Sequence, residues 1–463
     1  MSRCGPLWRR PSVKAIQQRD IEMIHSEFVT ATPNKKIFQI KIHLVKITGT
    51  VRHPIARRES QMLDNDNTSS PAPLDDSWEI RLRIEGSQAL LDHLEETLRE
   101  QGDHTSLFYT KLMRARHRLG LPETPTGPSS EIPPAFHDAI EQAIRDAATE
   151  LGEWALGRGD LAGAWTYYRL LNQPQPIQEA LAKIDLNQFG NEKYDMVETA
   201  IRLAFHEGLD PVRGFGWILG RYGLCNAITT MSSPETPGGP DARKACLELL
   251  VNALHGELVH RLSSEVERLE GVRPVGEDAK PPFEPGTIAK LLAGRDSLFD
   301  DEAYHIDLSH LSSVVQLGQE LAPGAAMARV RDLCAYGKKL KGRFVPNGEP
   351  PFDPLFDGQD RFFAALMGDE TEKQVAYFKE IADRELAEGN PFPAEILRKL
   401  LERLGRTTEA LEWAGRTLSP QGLAGICRAA GNFRPMMEAA KAQGDPVHLV
   451  AALLEQARVT AAK

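Results

Sequence analysis

The stretch "ATELGEWALGRGDLAGAWTYYRLLNQPQP", residues 148–176, has the pattern of two helices joined by a tight turn. Gly159 and Asp160 mark the turn, with Gly152 in the helix before it and Ala164 in the helix after it. Such small side chains let two helices approach closely, and larger ones then fill the flanks. The larger residues of this stretch are Leu151, Leu161 and Tyr168, and Pro176 closes the unit.

This stretch resembles a tetratricopeptide repeat, in which a small residue lies at the helix crossing and an aromatic residue follows one turn later. Weaker resemblances occur over residues 395–445, where the turn glycines Gly405 and Gly431 precede Leu411 and Phe433. These two glycines are closer together than the repeat period of about 34 residues. The resemblance implies antiparallel helical hairpins packed in an array. The rest of the chain resembles bacterial helical proteins, a likeness that implies no activity.

The segment before residue 86 has a different pattern. "KKIFQIKIHLVKITGTV", residues 35–51, and "SWEIRLRIEG", residues 77–86, both alternate apolar and polar side chains, which is typical of β-strands. A polar linker rich in Pro, Ser and Asp separates them. Two strands alone are marginally stable, so the sequence predicts an N-terminal segment that is either a small β element or disordered.

The predicted fold is therefore mainly α, an α-solenoid-like array of helical hairpins after a small β-containing or disordered N-terminal segment. We expect three parts. Residues 1–76 form a basic, partly disordered segment with one strand and a polar linker. Residues 77–345 form a helical-repeat domain with a central His-rich part and a Pro-rich loop at 271–288. Residues 346–463 form C-terminal hairpins after a loop rich in Pro and Phe.

Charge and composition exclude several classes of function. Residues 1–60 hold 12 Lys and Arg against 4 Asp and Glu, whereas the rest of the chain holds 43 against 61, a balance of −18. A body this acidic repels phosphate backbones, so we expect no nucleic-acid partner. No apolar run reaches the ~20 residues that cross a bilayer, so we expect no membrane partner. Five scattered cysteines without a CxxC pair favour reduced thiols and a cytoplasmic location.

Five of the 13 histidines fall between residues 206 and 310, which suggests a metal centre on facing helices. In "YHIDLSHLSSVVQL", residues 304–317, His305, Asp307 and His310 stand where a helix begins. Asp307 is a natural N-cap residue, and the helix dipole keeps His310 neutral, as a metal ligand must be. The alternative interpretation is a capped helix whose histidines have ordinary hydrogen-bond partners.

Three further residues belong to this metal hypothesis. His206 and Glu207 lie in the last turn of a helix, and the pair resembles the His-Glu pairs of helical-repeat di-iron hydroxylases, which use several. His255 lies at the edge of an apolar helical stripe and is five residues from His260. A zinc-protease motif is excluded, because it needs two histidines four residues apart with Glu after the first. The resident ion of such a site would be a divalent metal such as Zn or Fe.

The Pro-rich insertion "PNGEPPFDPLFDGQDRFF", residues 346–363, carries phenylalanines that could anchor a partner or cap a cleft. These candidate partner-binding residues are Phe352, Phe356, Phe362 and Phe363. Long Pro-rich loops inside compact domains often carry function, although a loop that folds over the core explains the same residues.

We therefore predict a helical-repeat scaffold without a cofactor, which presents a concave acidic surface to a peptide or protein partner, a basic one in view of the charge. The alternative is an enzyme that uses a metal or a His/Asp acid–base pair built from the central histidines.

Overall fold

The computed structural model describes residues 76–125, 132–185, 194–300 and 305–461. Within these four ranges the regular structure is entirely helical, with eighteen α-helices and no strand. The prediction of a mainly α fold is confirmed. The predicted strand at residues 35–51 lies outside the described residues.

The chain divides into two compact units between Ile177 and Gln178. Within the residues that the structure describes, the first unit holds four α-helices, and a fifth α-helix contains the boundary. Their ranges are α1 Ser77–Gln101, α2 His104–Arg118, α3 His137–Gly157, α4 Leu161–Leu171 and α5 Gln175–Ala182. A 3-10 turn, Pro134–Phe136, leads into α3.

The stretch 148–176 folds into the predicted hairpin of α3 and α4. A methyl group on Gly152 would lie 3.2 Å from the ring of Tyr168, so the glycine permits the close approach of the two helices. Gly159 has a φ of +76°, a left-handed conformation that glycine adopts without strain. The Asp160 carboxylate then accepts a hydrogen bond of 2.9 Å from the N–H of Gly163 and caps α4. The hairpin therefore depends on a small residue, a left-handed turn and a cap.

The alternating segment 77–86 is helical, so its prediction as a strand is wrong. It forms the first part of α1, which is interrupted at Gly86 (φ 90°, ψ 173°). Ile80, Leu82 and Ile84 remain exposed on this part. A helix pairs its backbone groups within itself, whereas a strand needs a neighbour that the described residues do not provide.

The second unit contains thirteen α-helices within the described residues. Their ranges are α6 Tyr194–Ile201, α7 Pro211–Met231, α8 Gly239–Glu270, α9 Thr287–Leu292, α10 Leu308–Leu317, α11 Ala325–Gly337, α12 Leu355–Met367, α13 Thr371–Ala387, α14 Phe392–Arg403, α15 Thr407–Thr417, α16 Pro420–Ala430, α17 Arg434–Gln443 and α18 Pro446–Ala461.

Helix α8 is the centre around which the first half of this unit packs. It is 32 residues long and contacts α7, α9, α10 and α11. Its apolar stripe is fully buried, as the helical spacing predicts; the stripe is Leu247, Val251, Leu254, Leu258, Leu262 and Val266. The Pro-rich loop after α8 folds back over it, with Pro281 against Gly256 and the Ser263 hydroxyl bonded to the N–H and C=O of Val275.

From α11 onwards, each helix packs on the next one, which gives a series of hairpins. The turn glycines Gly405 and Gly431 both have positive φ and separate successive helices. Leu411 and Phe433 are buried, as expected for these hairpins. No helix of the described ranges has the length and apolar character required to cross a membrane.

Candidate functional site

His206 and Glu207 lie on the surface at a local irregularity of the backbone. His206 ends a π-helical turn, Arg202–His206, that follows α6. A Cβ on Gly214 would lie 2.6 Å from the N atom of Phe205, so α7 crosses this turn at very close range. Both His206 and Glu207 are exposed. π-turns often occur at functional sites, but the close crossing explains this one structurally.

His305 is held by an aromatic neighbour rather than by a carboxylate. Its N–H and its Nδ1 atom each lie 3.1 Å from the hydroxyl oxygen of Tyr336. The rings of Phe299 and Tyr336 both meet the imidazole edge-on. Burial lowers the pKa of His305, and Arg261 lowers it further, while Glu265 opposes the shift. His305 is therefore a neutral, packed histidine.

Asp307 caps α10, as the sequence predicts. Its Oδ1 atom accepts hydrogen bonds from the N–H of Ser309 at 2.8 Å and of His310 at 3.3 Å. The Ser309 hydroxyl donates a third bond of 2.6 Å to the same oxygen. These bonds, with that from the Ser309 side chain first, lower the pKa of Asp307. One oxygen of the carboxylate is thus already used in starting the helix.

His255 belongs to a buried pair with Asp332, which the sequence did not reveal. The His255 side chain has no exposed surface, and Asp332 is only 4% exposed. Nε2 of His255 lies 3.0 Å from Oδ2 of Asp332 and donates to it. Asp332 also accepts from the backbone N–H groups of Ile288 and Ala289, each at 3.0 Å. The carboxylate of α11 thereby joins α8 to the first turn of α9.

The other ring nitrogen of His255, Nδ1, is buried and has no hydrogen-bond partner among the described residues. The pair has the acid–base composition of a His/Asp dyad, yet His255 has no exposed surface and Asp332 has only 4%. Its observed role is to connect α8, α9 and α11.

The predicted ligands do not share one centre. His305 contacts Tyr336, His255 contacts Asp332, and Asp307 caps its own helix. Among the residues that the structure describes, no three His, Cys, Asp or Glu side chains are arranged as a metal site.

The four candidate phenylalanines lie in the core. Phe352, Phe362 and Phe378 pack edge-to-face with ring centroids 6.1 to 6.3 Å apart. Phe356 packs on Gly337, where a side chain would collide with its ring. Phe363 is fully buried. The loop before α12 therefore caps the core, and a partner could reach these rings only if the segment opened.

The open part of this region is a charged groove along α11 and α12, formed by two adjoining depressions of about 270 and 380 Å³. Arg331 and Asp360 line both depressions, and Asp332 lines the second. We call this the α11–α12 groove. Its ionisable lining comprises Arg331, Arg361, Lys373, Asp332, Asp357, Asp360, Asp369 and Glu370. Four of these carboxylates have exposed surface and the fifth, Asp332, is almost fully buried, against three cationic groups.

The groove charges form ion pairs with one another. Arg331 binds Asp360 at 2.8 Å and also Asp369, and its pKa is raised by these carboxylates against an opposing effect of burial. Lys373 binds Glu370 at 2.8 Å. Glu370 has a φ of +49°, which is uncommon for a residue with a side chain and marks local strain at the rim.

Asp332 is the one residue of this region whose position in the sequence pattern indicated a special role. Asp332 falls within the apolar pattern of "RVRDLCAYG", where Val330, Leu333 and Cys334 are buried. A carboxylate on a buried helix face requires partners, which marks it for attention. No family model matches the chain, and no curated protein matches it at a significant level.

We predict that the protein becomes less stable in mild acid because His305 is buried as the neutral imidazole. Burial lowers the pKa of His305 in the folded state, so its stabilising effect is complete above the unfolded pKa of about 6.5. Below that pH His305 binds a proton in the unfolded chain but not in the folded chain. The free energy of unfolding therefore falls by at most about 1.4 kcal/mol per pH unit. The loss ends once the pH has fallen through the lowered folded pKa. Urea unfolding at several pH values measures this slope.

His305→Asn should reduce the slope between pH 6.5 and the folded pKa, because the ring that must remain neutral is gone. Tyr336→Phe serves as the comparison, since it removes the hydroxyl partner but leaves the imidazole buried. We expect that variant to retain the slope. An unchanged slope in His305→Asn would contradict the assignment.

Proposed function

We propose that the protein is a helical-repeat binding scaffold, and that its α11–α12 groove receives a basic segment of a peptide or protein partner. The observation that carries this proposal is the excess of carboxylates in the groove lining, which has four with exposed surface and the buried Asp332 beneath them, against three cationic groups. The acidic balance of the chain after residue 60 acts in the same direction and would attract a basic partner over a longer range.

The hairpin architecture supports this proposal. We infer that the units at 148–176 and 395–445 are tetratricopeptide-like, on the basis of the small residue, turn and aromatic positions that the first hairpin combines. Arrays of such units use an extended surface to hold peptides. We place the protein in the cytoplasm because its described cysteines are all free, three of them buried and one exposed.

The groove could exchange its own ion pairs for those of a partner. Asp369 and Glu370 have side chains that are 59% and 63% exposed, and each is paired with a cation of this chain. Exposed ion pairs contribute about 0 to 1 kcal/mol, so a lysine or arginine of a partner can replace Arg331 or Lys373 at little cost. Asp360 and Asp332, which are more buried, would provide the fixed negative charge beneath.

The test is a titration of the full chain with a fluorescent hexa-arginine peptide. A hexa-glutamate peptide is the control of opposite charge. We expect binding of the basic peptide alone, weakening as salt rises. Asp369→Asn/Glu370→Gln should weaken binding by about tenfold, a loss of about 1.4 kcal/mol.

The matched control is Asp383→Asn/Glu388→Gln, which removes two exposed carboxylates of the same unit outside the groove lining. We expect this variant to bind as the unmodified protein does. Equal weakening in the two double variants would mean unspecific attraction to an acidic surface and would contradict a site in the groove. Absence of binding to the basic peptide would also contradict it.

A further inference from the structure

The two depressions of the α11–α12 groove are lined by different kinds of side chain. The first, of about 270 Å³, is lined by eight charged or polar residues and one alanine, Ala364. The second, of about 380 Å³, is lined by three charged residues and five small ones, which are Pro285, Gly286, Ala289, Ala328 and Ala335. The second depression therefore combines apolar walls with charged groups, whereas the first is polar nearly throughout.

Asp332 lines the second depression as a buried carboxylate that has no lysine or arginine partner among the described residues. Arg331, which lines the same depression, forms its ion pairs with Asp360 and Asp369 instead. Within the described structure, Oδ1 of Asp332 accepts only the N–H of Ala289, so this oxygen can accept a further hydrogen bond. A buried negative charge attracts a cation strongly, because its surroundings screen it less than water does.

A long cationic side chain matches both features of the second depression. A purely apolar side chain, such as leucine, would remove water from Arg331, Asp332 and Asp360 without providing a hydrogen bond, which is costly. A lysine or arginine has an apolar stem that can lie on apolar walls and a charged head that needs an acceptor. Its methylene groups would contact the small residues, and its head would lie at the carboxylates.

We propose that the second depression is a pocket for one lysine or arginine side chain of the partner, which inserts along the full length of its stem. The stem packs on Ala289, Ala328 and Ala335. The charged head binds Asp360, whose side chain is 20% exposed, above the buried charge of Asp332. This inference rests on the proposed function, because it specifies how the groove recognises a basic partner. The pocket distinguishes long from short cationic side chains, although both carry the same charge.

Filling the pocket without changing any charge tests the proposal. In titrations of the full chain with a fluorescent hexa-lysine peptide, Ala289→Leu should weaken binding about tenfold or more, because leucine occupies the space of the stem. Ala289 is exposed, so the far-UV circular dichroism and melting should be preserved. Ala387→Leu, at an exposed alanine outside the groove lining, is the matched control and should bind as the unmodified protein does. Unchanged affinity in Ala289→Leu would overturn the proposal.

The length of the cationic side chain provides a second test that needs no substitution in the protein. Hexa-ornithine has the same charge as hexa-lysine and one methylene group fewer in each side chain. It should bind the unmodified protein about fourfold more weakly, the effect of one buried methylene group, and Ala289→Leu should bind the two peptides equally. Equal affinity of the unmodified protein for both peptides would overturn the pocket but leave the binding of a basic partner in place. Absence of binding of either peptide would overturn both proposals.

Discussion

Asp332→Ala should destabilise the second unit by about 3 to 5 kcal/mol, the cost of breaking a buried charged network by removing one member. The carboxylate accepts three hydrogen bonds, from His255 Nε2 and from the backbone N–H groups of Ile288 and Ala289. Alanine leaves these three donors without an acceptor, and the described structure leaves little water access because Asp332 is 4% exposed. Urea unfolding followed by circular dichroism measures the change.

Asp332→Asn is a sharper version of the same test. Oδ2 accepts from His255 and Ile288, and Oδ1 accepts from Ala289. An amide has one oxygen and one NH₂ group, so in either orientation its NH₂ group faces at least one backbone N–H. We therefore expect a loss of about 2 to 3 kcal/mol even though the shape is unchanged. Retained stability would contradict the network.

The matched control for this charge removal is Asp383→Ala, which breaks an exposed ion pair with Arg416. We expect a loss of less than about 1 kcal/mol there. A double-mutant cycle with His255→Ala then isolates the bond between His255 and Asp332. The single change His255→Ala should cost less than Asp332→Ala, because Asp332 keeps its two backbone donors.

The hydrogen-bond network of Asp332 shows why the sequence predicts helical hairpins better than it predicts contacts between distant side chains. The hairpin of α3 and α4 depends on neighbours in the chain, Gly152, Asp160 and Tyr168, so its pattern can be read locally. His255 and Asp332 are 77 residues apart and meet only after α8 and α11 have packed. The pattern placed His255 at the edge of a stripe, but no local rule relates its ring nitrogen to a carboxylate on another helix.

The strand prediction at 77–86 failed for a related reason. Alternation states which side chains are apolar, whereas a strand also needs a partner for its backbone groups. In the structure Arg81 and Glu85 form an i,i+4 ion pair of 2.8 Å, a contact that a helix allows and an extended strand does not. Asp307 is the opposite case. A helix cap needs only the N–H groups two and three residues later in the chain, so the cap could be predicted from the local sequence.

Arg243→Met should be the second large loss, about 3 to 5 kcal/mol, because it removes the cation that ties three segments together. The guanidinium donates to the carbonyl groups of Met231 and Ser233 at 3.1 and 2.6 Å, where α7 ends. It also binds Glu320 bidentately, at 2.5 and 2.7 Å, in the turn after α10. Methionine fills a similar volume but leaves these acceptors without a donor. Urea unfolding of the full chain measures the change.

Two further variants distinguish the contribution of the ion pair with Glu320 from that of the hydrogen bonds to the end of α7. The Glu320 side chain is 44% exposed, so Glu320→Gln should cost at most about 1 kcal/mol. Arg243→Lys keeps the charge but replaces the planar fork by one ammonium group, so we expect about 2 kcal/mol from the carbonyl groups it cannot reach. If Glu320→Gln cost as much as Arg243→Met, the ion pair rather than the end of α7 would be the stabilising contact. The expected loss of stability is largest for Arg243→Met, smaller for Arg243→Lys and smallest for Glu320→Gln. This order requires that the hydrogen bonds to the buried carbonyl groups contribute more than the ion pair does.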